Sequence, residues 1–175
     1  MSTATGDLPA LADHVDPAVV VELTQAVWAS FVDAEVELLE RWDVPGADEL
    51  PDPVVGRVDI VGALDAVVHV ALAGEAAREL AARMLGLGAD EVAVDDVLDA
   101  TGEITNMVGG NLKAVLADDH RLGLPAVTAP GLLPGTTSGE VVAALQWGEH
   151  AVLVTVSHAE PVHLPRPTEH KDSLS

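Results

Sequence analysis

No cysteine occurs in the 175 residues, which excludes disulfides, thiolate nucleophiles, zinc ribbons and iron–sulfur clusters. Positive charge is also scarce. Two lysines, Lys113 and Lys171, and six arginines stand against 29 Asp plus Glu, for a formal charge of −21. Nucleic-acid binding needs clustered cations, and an anionic membrane surface would repel such a chain, so neither partner is expected. Aromatic residues are limited to Phe31, Trp28, Trp42 and Trp147, with no tyrosine. The 49% apolar share, mostly Ala, Val and Leu, is still ample for the aliphatic core of one domain. Met1 to Asp7 lack the basic and apolar regions of a signal peptide. The longest uncharged stretch, Leu122 to Gly139, is too broken by Pro125, Pro130, Pro134 and four glycines for a membrane helix. A soluble cytoplasmic protein is the expectation.

Residues 1–15 and the proline-punctuated tail 159–175 read as flexible or disordered, leaving one domain over 16–158. Asp16 followed by Pro17 is a helix start, and the spacing of Val20, Leu23, Val27 and Phe31 predicts a helix continuing to about Trp42. A loop rich in proline follows at 43–53. Val54–Val61 and Ala66–Ala73, joined by Gly62-Ala63-Leu64-Asp65, read as a hairpin, and Glu75–Leu85 as a helix stopped at Gly86. A long helix is expected from Asp95 to Ala117, then an extended stretch around Leu124 to Leu133. A second hairpin is expected from Glu140–Trp147 and Ala151–His158. The fold class is therefore α/β of the α+β type, with long helices on a mainly antiparallel sheet. Helix followed by hairpin occurs twice, a weak internal duplication.

The long helix is two-faced. At 100° per residue, Val97, Leu98, Ile104, Val108, Leu112, Val115 and Leu116 form an apolar stripe about 120° wide. The opposite arc carries Asp96, Asp99, Glu103, Asn106, Gly110 and Lys113. Mid-helix Asn and Gly cost about 0.5 and 1 kcal/mol relative to Ala, yet Asn106, Gly109, Gly110 and Asn111 crowd six positions. The residues leave two readings open. Glu103 and Asn106 are either ordinary solvated side chains beside a tight helix contact, or an acid–amide pair presented at i, i+3 beside a glycine that admits a close approach.

The string Asp99-Ala100-Thr101-Gly102-Glu103-Ile104-Thr105-Asn106-Met107-Val108-Gly109-Gly110-Asn111-Leu112-Lys113 resembles the signature helix of the CheX/CheC chemotaxis phosphatases, Glu-x-x-Asn followed by a small-residue Gly-Asn segment. Only these fifteen residues are specific, although the order of elements agrees from about 16 to 158. The resemblance implies removal of the phosphoryl group from the aspartate of a CheY-like response regulator, whose own Mg²⁺ serves the reaction, so the phosphatase brings no cofactor. Asn106 would orient the hydrolytic water and Glu103 would pair with the receiver's lysine. Asp99, Gly110 and Lys113, on the same arc, are the candidate partner-binding residues, Gly110 by admitting the partner's backbone. Relatives include homodimers, so self-association is possible. The rival implication is a non-catalytic adaptor that docks a receiver or a flagellar switch component. A third reading has the glycines serving dimer packing.

Helix one carries Glu22-x-x-Gln25 at the same spacing, but Val27, Trp28, Ala29 and Ser30 follow in place of glycine, and we read it as a degenerate copy. His69, His120, His158, His163 and His170 show no metal-ligand spacing. Asp118, Asp119 and His120 read as a solvated helix end. Gly86-x-Gly88 lacks the third glycine of a dinucleotide loop.

Overall fold

The computed structural model describes residues 14–35, 37–41, 49–116, 119–128 and 141–159. The expected flexible start up to residue 13, Trp42, most of the 43–53 loop, Asp118, the segment 129–140 and the tail from 160, with His163 and His170, lie outside the described residues. Helix α1, Pro17–Phe31, opens on Asp16, whose carboxylate accepts the Ala18 N–H at 2.9 Å ahead of Pro17. It ends at Phe31, about eleven residues earlier than its apolar spacing predicts. Asp33 accepts the Glu35 N–H at 3.0 Å, and the chain then turns into strand β1, Leu38–Glu40. Hydrogen bonding to another strand outweighs continued helix there, because Leu38–Glu40 pair with β6, Val141–Trp147.

Strands β2, Val54–Val61, and β3, Ala66–Leu72, form the first expected hairpin, and β6 with β7, His150–His158, the second. Helix α2, Gly74–Leu85, stops on Gly86 in the left-handed conformation at φ 65°. Helix α3 spans Val94–Leu116. Two short strands follow, β4, Arg121–Leu122, and β5, Ala126–Thr128, both laid along β2. All pairings are antiparallel, in the order β1-β6-β7-β3-β2-β4.

This order makes the internal duplication explicit. The second strands of the two hairpins, β3 and β7, are neighbours at the centre. Outside them the short strand that follows each helix joins the other half: β1 of the first half lies on β6, and β4 of the second lies on β2.

One core joins the helices to one face of the sheet, including Trp28, Leu80, Ile104 and Leu112 with Val58, Val68 and Val154. On the other face a smaller cluster holds Leu50, Val55, Ala71 and Leu153. The end of α1, α2 and the second hairpin are clamped by a buried carboxylate. Asp33 pairs with Arg83 at 2.8 Å and accepts the Trp147 indole N–H at 3.4 Å. Trp147 meets Trp28 edge-on, with centroids 5.4 Å apart. His120, expected in solvent, is instead buried: its Nε2 accepts the Leu64 N–H at 3.2 Å and its ring covers Gly62 at the hairpin bend.

His69 lies on β3 opposite Arg57 and Thr155, and its Nε2 is buried without a hydrogen bond among the described residues. Burial, then the Arg57 charge, pushes this imidazole below the ordinary 6.5, with Asp59 opposing. Above pH 6.5 the ring is neutral in both folded and unfolded chains and has no effect on their balance. As pH falls below 6.5 the unfolded chain takes up the proton first, so stability declines. His69→Gln should lose less unfolding free energy than wild type between pH 7.5 and 5.5 in urea titrations; equal losses would remove His69 as the cause.

Candidate functional site

Helix α3 carries the site and is fixed from its first turn. Ala93, just before the helix, offers no capping side chain, so Asp96 reaches back and accepts the Ala93 N–H at 2.8 Å. Asp95 and Asp96 stand at the positive end of the dipole and Lys113 near the negative end. Ile104, Val108 and Leu112 are at most 1% exposed and each contributes about 1.5–3 kcal/mol by burial.

The buried face differs from the predicted stripe. Val115 is 54% exposed, and Leu98 and Leu116 are only partly covered, while Thr101, Gly102, Thr105 and Gly109 are buried. The cause is a close approach of α3 to β2. A Cβ at Gly56 would overlap the Thr105 side chain and stand 3.1 Å from the Thr101 carbonyl oxygen. A Cβ at Gly109 would overlap Val58 and stand 3.3 Å from Leu122. Thr101 and Thr105 survive burial because each hydroxyl donates to the carbonyl four residues back, at 2.7 and 2.6 Å. Gly109 is thus the tight helix contact within the chain. Gly110 is half-exposed, and a Cβ there would meet only Leu122, at an ordinary 3.7 Å.

The outward face places Asp99, Glu103, Asn106, Gly110 and Lys113 within about 80° of arc and along about 21 Å of helix, at 1.5 Å rise per residue. Asp99 and Glu103 are exposed, and Asn106, Gly110 and Lys113 are half-exposed. The helix therefore brings all five candidates onto one surface. The chain has four amide side chains, and three are engaged internally. Gln25 donates to the Leu38 carbonyl at 2.8 Å, Asn111 to the Met107 carbonyl at 2.8 Å, and Gln146 bonds both Arg41 and the Gly148 carbonyl. Asn106 alone keeps its donors and acceptor unused among the described residues, and so does the Glu103 carboxylate. Gln25 Nε2 is tied to the start of β1, unlike the Asn106 amide.

Beside Glu103 a groove of about 610 Å³ opens between the end of α2, the first half of α3 and β5. Sequence reasoning missed it, since it is assembled from Met84 and Leu85, from Leu98, Asp99, Ala100, Gly102 and Glu103, and from Pro125 and Val127. Among the described residues no group of three or more histidines and carboxylates could hold a metal ion, and no helix is long and apolar enough to cross a membrane.

Among the described residues, three helices on one face of an antiparallel sheet with a repeated order of elements define a CheX/CheC-like class of domain. More narrowly, the chain belongs to the CheX family: residues 54–141, half of its length, match the family model described as chemotaxis phosphatase CheX. Among solved structures, chemotaxis protein CheX from Vibrio vulnificus superposes with a TM-score of 0.67 at 24% identity, covering 85% of this chain and all of that one. CheX from Desulfovibrio desulfuricans gives 0.65 at 20% identity over 83% and 100% of the two chains. A chain of the CheX–CheY–BeF₃–Mg²⁺ complex from Borrelia burgdorferi gives 0.66 at 15% identity over 85% and 99%. At these identities the likeness is one of fold. No curated protein matches the chain.

Proposed function

We propose that the chain removes the phosphoryl group from the aspartate of a CheY-like response-regulator receiver domain, in chemotaxis or a related two-component pathway. The observation that carries this reading is the free Asn106 amide, one turn from the free Glu103 carboxylate on the exposed face of α3. Family membership and the fold shared with a chain of the CheX–CheY–BeF₃–Mg²⁺ complex support it. An aspartyl phosphate is already activated, and the receiver supplies the Mg²⁺ and a lysine. Asn106 accepts one hydrogen bond from a water and directs its oxygen in line at phosphorus. The new P–O bond forms as the bond to the aspartyl oxygen breaks, releasing the carboxylate and inorganic phosphate, with the water's proton passing to the phosphate or solvent.

Glu103 pairs with the receiver lysine, and Asp99, Gly110 and Lys113 complete the contact. With a chain charge of −21, attraction must be local to this pairing. The test is to mix the protein with phosphorylated receiver domains from the same genome in Mg²⁺ and follow acyl-phosphate loss. Faster loss than the spontaneous rate is expected with at least one receiver, and no acceleration with any of them overturns the reading. Glu103→Ala should raise KM for that receiver by about tenfold, as loss of a charged partner at a contact costs over 1 kcal/mol. An unchanged KM would remove the assigned pairing.

A further inference from the structure

Resting on that reading, we infer that the groove beside Glu103 is the specificity pocket for the receiver, and that it takes an apolar side chain flanked by a lysine or arginine. Its lining is apolar at Leu85, Leu98, Pro125 and Val127 and acidic at the exposed Asp99 and Glu103. No cation is among the nine lining residues, so the chemistry of the lining selects positive charge beside an apolar anchor. The end of α2 adds the negative pole of its dipole at Leu85. Arg83, the basic residue of that last turn, is turned away into its pair with Asp33.

Three further observations point to an occupant from outside the groove. Leu85, in the lining, is 50% exposed, and Leu87 and Leu124, close in sequence to lining residues, are 38% and 92% exposed, so apolar side chains at the end of α2 and just before β5 face solvent. Gly102 keeps the α3 wall low: a Cβ there would reach Val127 Cγ2 at 3.3 Å and narrow the cleft. Glu103 is shared between the groove and the acid–amide pair. A partner that engages Glu103 through a cation therefore sets its neighbouring side chain over the groove, and the reacting phosphoryl group one turn along, at Asn106.

The test measures binding of the full chain to receiver domains from the same genome, held in the activated form by beryllofluoride and Mg²⁺, by titration calorimetry. Leu85→Ala should raise Kd about fivefold or more and Leu85→Lys about twentyfold or more, as a buried apolar contact is lost and, in the second variant, a cation is opposed to a cation. Thermal melts within a few degrees of wild type exclude a folding defect, which is expected at a half-exposed helix end. Wild-type binding that both variants leave within twofold overturns the groove inference, and the proposed function stands. A wild type that binds no activated receiver overturns both. Equal weakening by Leu85→Ala and Leu85→Lys overturns the requirement for a flanking cation.

Discussion

Asn106→Ala should lower the dephosphorylation rate of the cognate receiver by about 10² or more while leaving its Kd for the beryllofluoride form within threefold. The expectation follows from what the proposed mechanism asks of the residue. No cysteine is present, and with an activated phosphoryl group no protein nucleophile is required. The remaining work is orientation, which a misplacement of about 1 Å can reduce by 10². An alanine leaves the helix intact, and its propensity is better than asparagine's by about 0.5 kcal/mol, so a fall in rate cannot be charged to unfolding. Asn106→Asp tests the same point differently. Its carboxylate still accepts from water but adds repulsion toward the incoming phosphoryl charge, so its rate should also fall. Single-turnover kinetics with saturating phosphatase isolates the chemical step. Unchanged turnover in Asn106→Ala would end the water-orienting assignment.

Gly56→Ala should destabilise the fold by about 1–3 kcal/mol, lowering Tm by roughly 3–10 °C in a chain of this size. Glycine in a strand interior ordinarily costs about 0.5–1 kcal/mol, so replacing it would help if space allowed. Space does not allow it: the new methyl overlaps the Thr105 hydroxyl and stands 3.1 Å from the Thr101 backbone oxygen. The neighbour that must yield is α3 itself. Thr105 precedes Asn106, so the substitution also moves the acid–amide pair, and kcat should fall further than the melting shift explains. Thr105→Ala removes the nearest obstructing atom, and in the double variant the two losses should be less than additive by about 1 kcal/mol. Strict additivity in chemical denaturation would show that the overlap is not where the energy is lost.

The limits of α2 and α3 and both hairpins were legible because each has enough residues for its period to register. Helix α1 was overextended because Leu38, seven residues beyond Phe31, continues the same helical face without an intervening proline or glycine. What ends it is the Asp33 turn and pairing with a strand more than a hundred residues away. Strands β4 and β5, of two and three residues, are too short to show alternation. In the site, Glu103 and Asn106 could be singled out from their spacing and resemblance. That Asn106 is the one unspent amide among the described residues could not, since Gln25 and Gln146 look equally free until the strands that occupy them are placed. The groove was invisible for the same reason, its lining residues running from Met84 to Val127 on three separate elements.

The crossed placement of β1 and β4 binds the two halves by mutual completion. Without the second half, the first would lack β4 along the outer side of β2, and without the first, the second would lack β1 along β6. Each half thus shields an edge that, left bare, templates pairing with other chains. Neither half has a finished sheet alone, and α3 of the second half is held by its close packing on β2 of the first.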